Sequence, residues 1–207
     1  MLRARFITFE GIEGAGKTTL AQHLAQWLQA QGVPVLLTRE PGGSPMGASL
    51  RSVLLHATID PYTELFLFLA DRREHTLRVI LPALQAGTWV LCDRYADSTL
   101  VYQGYGRGLD LALIRQLNAI ATSGLTPDLT VLIDLPVELA LARANTPTRF
   151  EAESRTFHQR IREGYLQEAA RAPERFLILD GQAPLAQLLE QVRQALQTWL
   201  LREPDAK

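Results

Sequence analysis

In Gly11-Ile12-Glu13-Gly14-Ala15-Gly16-Lys17-Thr18, glycine, lysine and hydroxyl residues fall at the spacing G-x-x-x-x-G-K-[ST], which wraps backbone N–H groups around a polyphosphate. Lys17 is placed to reach β- and γ-phosphates, and the Thr18 hydroxyl to sit beside a divalent cation, Mg²⁺ in ATP chemistry. The chain holds only two lysines, Lys17 and Lys207, against nineteen arginines. Its one internal lysine therefore stands where a compact ammonium is needed. A glycine-rich turn before a surface helix, with Lys17 merely solvated, is the alternative, and the flanking sequence argues against it. Phe6-Ile7-Thr8-Phe9 has strand character, and Leu20, Ala21, Leu24, Trp27 and Leu28 recur at helical spacing up to Gly32. Strand, loop and helix N-terminus together make an anion site.

Other charged residues follow apolar runs. Glu10, Arg39, Glu40, Asp93, Arg94 and Asp134 all come just past segments that read as strands. Asp93 is the acidic partner expected for a metal or its waters, with Asp134 competing; either could instead cap a turn. Arg39, Arg72, Arg94, Arg107, Arg143 and Arg149 are spread over separate connections. Any one could be solvated, but Arg94, between Asp93 and Tyr95, is well placed to hold a phosphate bidentately. This set suits a nucleotide plus a phosphorylated acceptor better than a nucleotide plus water. There is no N-K-x-D guanine-reading motif, which argues against a GTPase.

These groups need a frame. Val33–Thr38, Thr88–Cys92, Leu129–Ile133 and Phe176–Leu179 read as further strands, the second of the five continuously apolar as if buried on both faces. Helical patterns lie between them: 47–55, then a longer one capped by Thr63 with a bend at Pro82, then one capped by Asp110. Pro136 opens another, one runs to about Arg171, and an amphipathic one ends the chain. The alternation predicts an α/β fold of P-loop NTPase type, a parallel five-stranded sheet with helices on both faces and a short lid. Ligands are then expected beyond the carboxyl ends of the strands.

Bulk properties are those of one globular unit, 1–207. Hydrophobic residues make up 47% and charged residues 21%, with a net charge of −1. That balance offers no argument for nucleic acid or an anionic membrane as partner. A lone cysteine, Cys92, excludes an intrachain disulfide and suits a reducing, cytoplasmic setting. The N-terminus runs straight into the first strand, so no signal peptide is expected.

Several blocks together resemble the bacterial thymidylate kinases, nearly end to end. They are Phe9-Glu10-Gly11 through Thr18-Thr19, Arg39-Glu40-Pro41-Gly42-Gly43, Phe68-Leu69-Ala70-Asp71-Arg72, Asp93-Arg94-Tyr95-Ala96-Asp97-Ser98-Thr99, Tyr102-Gln103-Gly104 and Pro127-Asp128-Leu129. The resemblance implies transfer of the γ-phosphate of ATP to dTMP on the way to dTTP, with Mg²⁺, in a homodimer. It implies that the loop from Gly11 to Thr19 holds ATP and that Glu13 accepts a hydrogen bond from the 3′-hydroxyl of dTMP. Phe68 would stack on thymine, Arg72 read its O4 edge, and Thr99 and Gln103 contact the base. Tyr102 would exclude a 2′-hydroxyl and Arg94 hold the acceptor phosphate. Arg39 and Ser98 would line the acceptor site, with Glu40 and Asp93 near the metal.

The pattern departs at the lid, about 143–153. In Arg143-Ala144-Asn145-Thr146-Pro147-Thr148-Arg149-Phe150-Glu151, Asn145 stands where the family has a second arginine, and Thr148 replaces an aspartate. The loop Gly11–Thr18 supplies no arginine, so the lid must. Arg149 is the expected transition-state arginine, and Arg143 the expected neighbour of adenine or the phosphates. A kinase for another nucleoside monophosphate or nucleoside, or a regulatory nucleotide-binding module, are the alternatives.

Overall fold

The computed structural model describes residues 3–143 and 148–200. Asn145, noted for its departure from the lid pattern, lies outside them. Strands β1 (Phe6–Glu10), β2 (Val35–Arg39), β3 (Trp89–Asp93), β4 (Leu129–Asp134) and β5 (Phe176–Asp180) form one sheet of order β2-β3-β1-β4-β5. Every pairing is parallel, as strands separated by helices require. Chain direction across the sheet reverses at β1, so a crevice opens where β1, β3 and β4 end together.

Alternation along the strands distributes the core. Ile7 and Phe9 of β1 join Trp89 and Leu91 of β3 in the larger cluster, while Phe6, Val90 and Cys92 join Ile80 and Tyr95 in another. The larger cluster is completed by Leu20, Leu24 and Leu28 of α1 (Lys17–Ala30), all wholly buried. Each such leucine contributes about 1.5–3 kcal/mol. This packing makes α1 a rigid mount for the loop before it.

Three sequence expectations change. The second strand is a sheet edge: β2 pairs only with β3, its burial is partial and Leu37 is 40% exposed. An apolar run does not reveal its place in a sheet. The helix expected from Thr63 is α3 (Pro61–His75), capped by Asp60, whose carboxylate accepts from Tyr62 N at 3.0 Å and Thr63 N at 3.2 Å. It then continues through a π-helical stretch, Thr76–Ile80, into α4 (Leu81–Gln85), where Pro82 sits in the first turn. Other expectations hold. Helix α2 (Pro45–His56) comes before α3, and α5 (Ala96–Thr99) runs into a second π-helical stretch, Leu100–Gly106. Asp110 caps α6 (Leu111–Thr122), accepting from Leu113 N at 2.8 Å. Pro136 precedes α7 (Val137–Arg143), and α8 (Arg155–Arg171) and α9 (Leu185–Leu200) complete the chain.

Candidate active site

Gly11 opens the phosphate loop at φ 139°, and a Cβ there would stand 2.6 Å from the carbonyl oxygen of Ile133. Only glycine lets the chain leave β1 so close to β4. Ile12 and Ala15 are buried and anchor the loop, and Gly16, left-handed, caps α1. The first-turn N–H groups of α1 thus face the crevice. Lys17 Nζ donates to Gly11 O at 3.0 Å and Ile12 O at 2.8 Å, folded over the loop's own carbonyls. Burial, then repulsion from Arg94, pulls its pKa down to about 8.

Thr18 Oγ1 donates to the Asp93 carboxylate, so a hydroxyl and a carboxylate oxygen converge at the loop mouth. This hard-oxygen pair fits a divalent cation that takes its remaining ligands from water and phosphate. The competing Asp134 is engaged by Arg162, at 2.6 and 2.8 Å. Among the described residues no three His, Cys, Asp or Glu side chains group to hold a metal. Glu40, expected near the metal, spends both oxygens elsewhere. Arg72 Nε reaches one at 2.9 Å and His75 Nδ1 the other at 3.0 Å. Its carboxylate frames the site as a counter-charge, because a buried guanidinium must be paired.

Across the crevice, Arg94 is itself left-handed (φ 70°) at the end of β3, a strained conformation for a residue with a Cβ. That turn brings its guanidinium back over the loop. Nη1 donates to Gly11 O at 3.1 Å, and Nη2 donates to Glu13 Oε1 at 2.8 Å. Tyr102 Oη lies 2.8 and 2.7 Å from the Glu13 oxygens. Burial pushes the Glu13 carboxyl up, but Arg94 and then Lys17 outweigh it and hold the pKa below the usual range. Beneath them, buried Glu10 accepts from Tyr95 N at 2.8 Å, Ser98 Oγ at 2.6 Å and Tyr165 Oη at 2.9 Å. Burial and then Asp97 raise its pKa to about 7. Tyr165 was missed by sequence reasoning. Its hydroxyl contacts Arg94, Ser98 and Glu10, but it lies 155 residues from Glu10 on an ordinary amphipathic helix.

The opposite wall is flat and polar by turns. Phe68 is half-buried, its ring 6.2 Å from that of Phe150. Arg72 donates through Nη1 to Thr99 Oγ1 at 2.7 Å and Asn118 Oδ1 at 2.8 Å, and through Nη2 to Tyr95 O at 2.9 Å. With Nε on Glu40, four of its five N–H groups are committed and one is left. Tyr102 and Gln103 sit on the second π-helical stretch, a wide turn often found at functional sites. Gly104 lets that stretch press on α6, since a Cβ there would come 2.4 Å from Leu111 Cδ2.

One cavity of about 340 Å³ collects these groups. Its lining includes Glu13, Gly14, Lys17, Thr18, Arg39, Glu40, Phe68, Arg72, Asp93, Arg94, Ser98, Thr99, Tyr102, Gln103 and Arg143. Of the other expected donor-site residues, Gly11, Ile12 and Ala15 are buried, Gly16 and Thr19 are exposed, and none of the five lines the cavity. Arg143, at the end of α7, donates to Gly181 O at 3.1 Å. Arg149 does not line the cavity. Its Nε donates to Leu54 O at 2.8 Å, its N–H to Leu55 O at 3.1 Å, and Nη1 pairs with Glu64. The carbonyls at the C-terminus of α2 and the buried Glu64 carboxylate thus tie Arg149 to α2 and α3. Sequence reasoning also missed Arg51, on α2, which lines the cavity and donates to Pro41 O.

A family model described as thymidylate kinase matches residues 9–192. The chain is 51% identical to a thymidylate kinase of Desulfovibrio desulfuricans, over 95% of this chain and 97% of that one. It is 55% identical to one of Oleidesulfovibrio alaskensis, over 92% and 96%. A solved thymidylate kinase from Ehrlichia chaffeensis superposes with a TM-score of 0.80 at 37% identity, covering 94% of this chain and 98% of that one.

Proposed function

The chain belongs to the thymidylate kinase family, and from that premise we propose how its cleft moves a phosphoryl group from ATP to dTMP. The observation that carries the reading is one cavity lined by the phosphate loop, with Glu13 of that loop paired to Arg94, and by Phe68, Arg72, Thr99 and Gln103. Lys17 leaves the carbonyls of Gly11 and Ile12 for the donor phosphates, joined by the loop amides. Thr18 and Asp93 are the residues that would hold Mg²⁺, which when bound neutralises charge on the donor phosphates. Arg94 takes the acceptor phosphate and sets it in line. Glu13 accepts from the 3′-hydroxyl, and Tyr102, braced on Glu13, fills the space a 2′-hydroxyl would need. Phe68 stacks on the base, the last free N–H of Arg72 meets O4, and Thr99 and Gln103 read the remaining edge.

Arg143 supplies the lid charge at the transferring group, and Arg149 anchors the lid to α2 and α3. Such a transfer needs positioning and charge rather than a covalent intermediate or strong base. The chain acts as one catalytic unit, with 143–153 as its lid. The setting is cytoplasmic. The one cysteine, Cys92, is buried and free, as suits a reducing compartment. A homodimer is proposed through α2, α3 and α6, where Val53, Tyr62, Phe66 and Ile120 are exposed.

An ADP-release assay with ATP-Mg²⁺ and dTMP, dUMP, UMP, AMP and thymidine tests the reading. Selective turnover of dTMP is expected. Equal turnover of UMP would remove the role of Tyr102, and binding without turnover would favour a regulatory module.

A further inference from the structure

We propose that Glu64 is a positioning residue that fixes the amide of Gln103 and thereby makes the site select thymine over cytosine. The inference rests on Gln103 standing at the base edge.

Glu64 lies in the first turn of α3, with its carboxylate 1% exposed. It accepts from Gln103 Nε2 at 2.7 Å, from Arg107 Nε and Nη2 at 3.3 Å each, and from Arg149 Nη1. A carboxylate flanked by two guanidinium groups offers acceptors alone. The Gln103 amide must therefore turn its NH₂ toward Glu64, because the other orientation would set oxygen against oxygen. Oε1 is then directed away from Glu64, and among the described residues it has no hydrogen-bond partner. Gln103 is itself 1% exposed and lines the cavity, so the orientation cannot relax into solvent.

Thymine presents an N3–H donor beside its O4 acceptor, whereas cytosine presents an N3 acceptor beside an amino donor. A fixed carbonyl at Gln103 and a fixed N–H at Arg72 match the first and oppose the second. Both readers are set by a buried carboxylate behind them: Glu40 behind Arg72, Glu64 behind Gln103. A site that leaves a buried polar group misdirected rejects a ligand far more strongly than one that merely lacks a contact.

Replacing Glu64 by glutamine removes the bias, because a second amide can pair with Gln103 in either orientation. In Glu64→Gln, the ratio of kcat/KM for dTMP over dCMP is expected to fall by about tenfold or more. The change should lie mainly in KM, with kcat for dTMP within a few-fold. Because Glu64→Gln leaves Arg149 short of a counter-charge while Arg107 keeps Glu153, the charge-balanced Glu64→Gln/Arg149→Gln should show the same fall, and Arg149→Gln alone should leave the ratio unchanged. Gln103→Ala tests the underlying assignment separately. If it leaves the ratio intact, Gln103 does not read the base. If Gln103→Ala lowers the ratio while both Glu64 variants keep it, or lose both substrates equally, Glu64 has no orienting role and the proposal is overturned.

Discussion

Arg94 Nη2 lies 2.8 Å from Glu13 Oε1, so the cation assigned to the acceptor phosphate is already held by the carboxylate assigned to the sugar. This pairing aims the guanidinium before any substrate arrives, and an incoming phosphate shares Arg94 with Glu13. Arg94→Ala is expected to lower kcat/KM for dTMP by about 10²–10³-fold, the loss typical of one preorganised donor, while leaving ATP affinity within a few-fold. Steady-state kinetics in each substrate, with ATP titrated separately, checks it.

The lid arginines are separable by kcat. Arg143 lines the cavity and Arg149 is tied to Glu64 and Leu54. Arg143→Ala is therefore expected to cut kcat by about 10³-fold or more, as loss of a transition-state arginine does. Arg149→Ala should cost about tenfold or less and lower the melting temperature by a few degrees. Single-turnover rates and thermal denaturation distinguish them, and a reversed order would restore Arg149 to the transferring phosphate.

Lys17 gives a pH signature. Its free-enzyme pKa is about 8, and phosphates that bind the ammonium raise it. Donor binding then favours the protonated form, so affinity is full below pH 8 and declines as pH rises through it. The expected profile of kcat/KM for ATP bends downward near pH 8, with proton uptake on binding above that pH in calorimetry.

Stability should run the same way at lower pH. Burial, then Glu40, raises the Asp71 pKa to about 6. A carboxyl raised in the folded state contributes stability that is present below its unfolded pKa and lost as pH rises through the folded one. Asp71 Oδ1 accepts from Gly42 N at 3.0 Å while buried Oδ2 has no partner. Asp71→Asn keeps the acceptor and removes the buried charge. It is expected to raise the melting temperature at pH 8 by about 2–4 °C, roughly 1 kcal/mol, and by less at pH 5.

Assembly has its own test. Phe66 is 56% exposed on α3 and Ile120 69% exposed on α6, apolar area that a monomer would leave wet. Phe66→Glu and Ile120→Glu are expected to shift sedimentation from dimer to monomer without loss of helical circular dichroism.

Much of this architecture is legible in the residues themselves. The phosphate loop, the strand-end Asp93-Arg94 and the cap at Asp110 declare themselves through local rules of spacing, φ preference and side-chain length. What could not be read were relations across the chain. That Glu40 pairs with Arg72 and His75, that Asp134 is taken by Arg162, and that Tyr165 supports Arg94 all depend on which helices meet over the sheet. The π-helical turn that carries Tyr102 and Gln103 also left no periodic trace, because one widened turn shifts the phase of an apolar stripe without erasing it.

The burial of Lys17 beside Arg94 sets one amine of the enzyme chemically apart. Its amine is lowered to a pKa of about 8, and the sequence contains just one other lysine, at the extreme C-terminus. A mild acylating reagent near neutral pH would meet few competing nucleophiles apart from the chain's own α-amine. Mass shifts after tryptic digestion would then report donor-site occupancy directly, with ATP protecting the P-loop peptide and dTMP alone leaving it open.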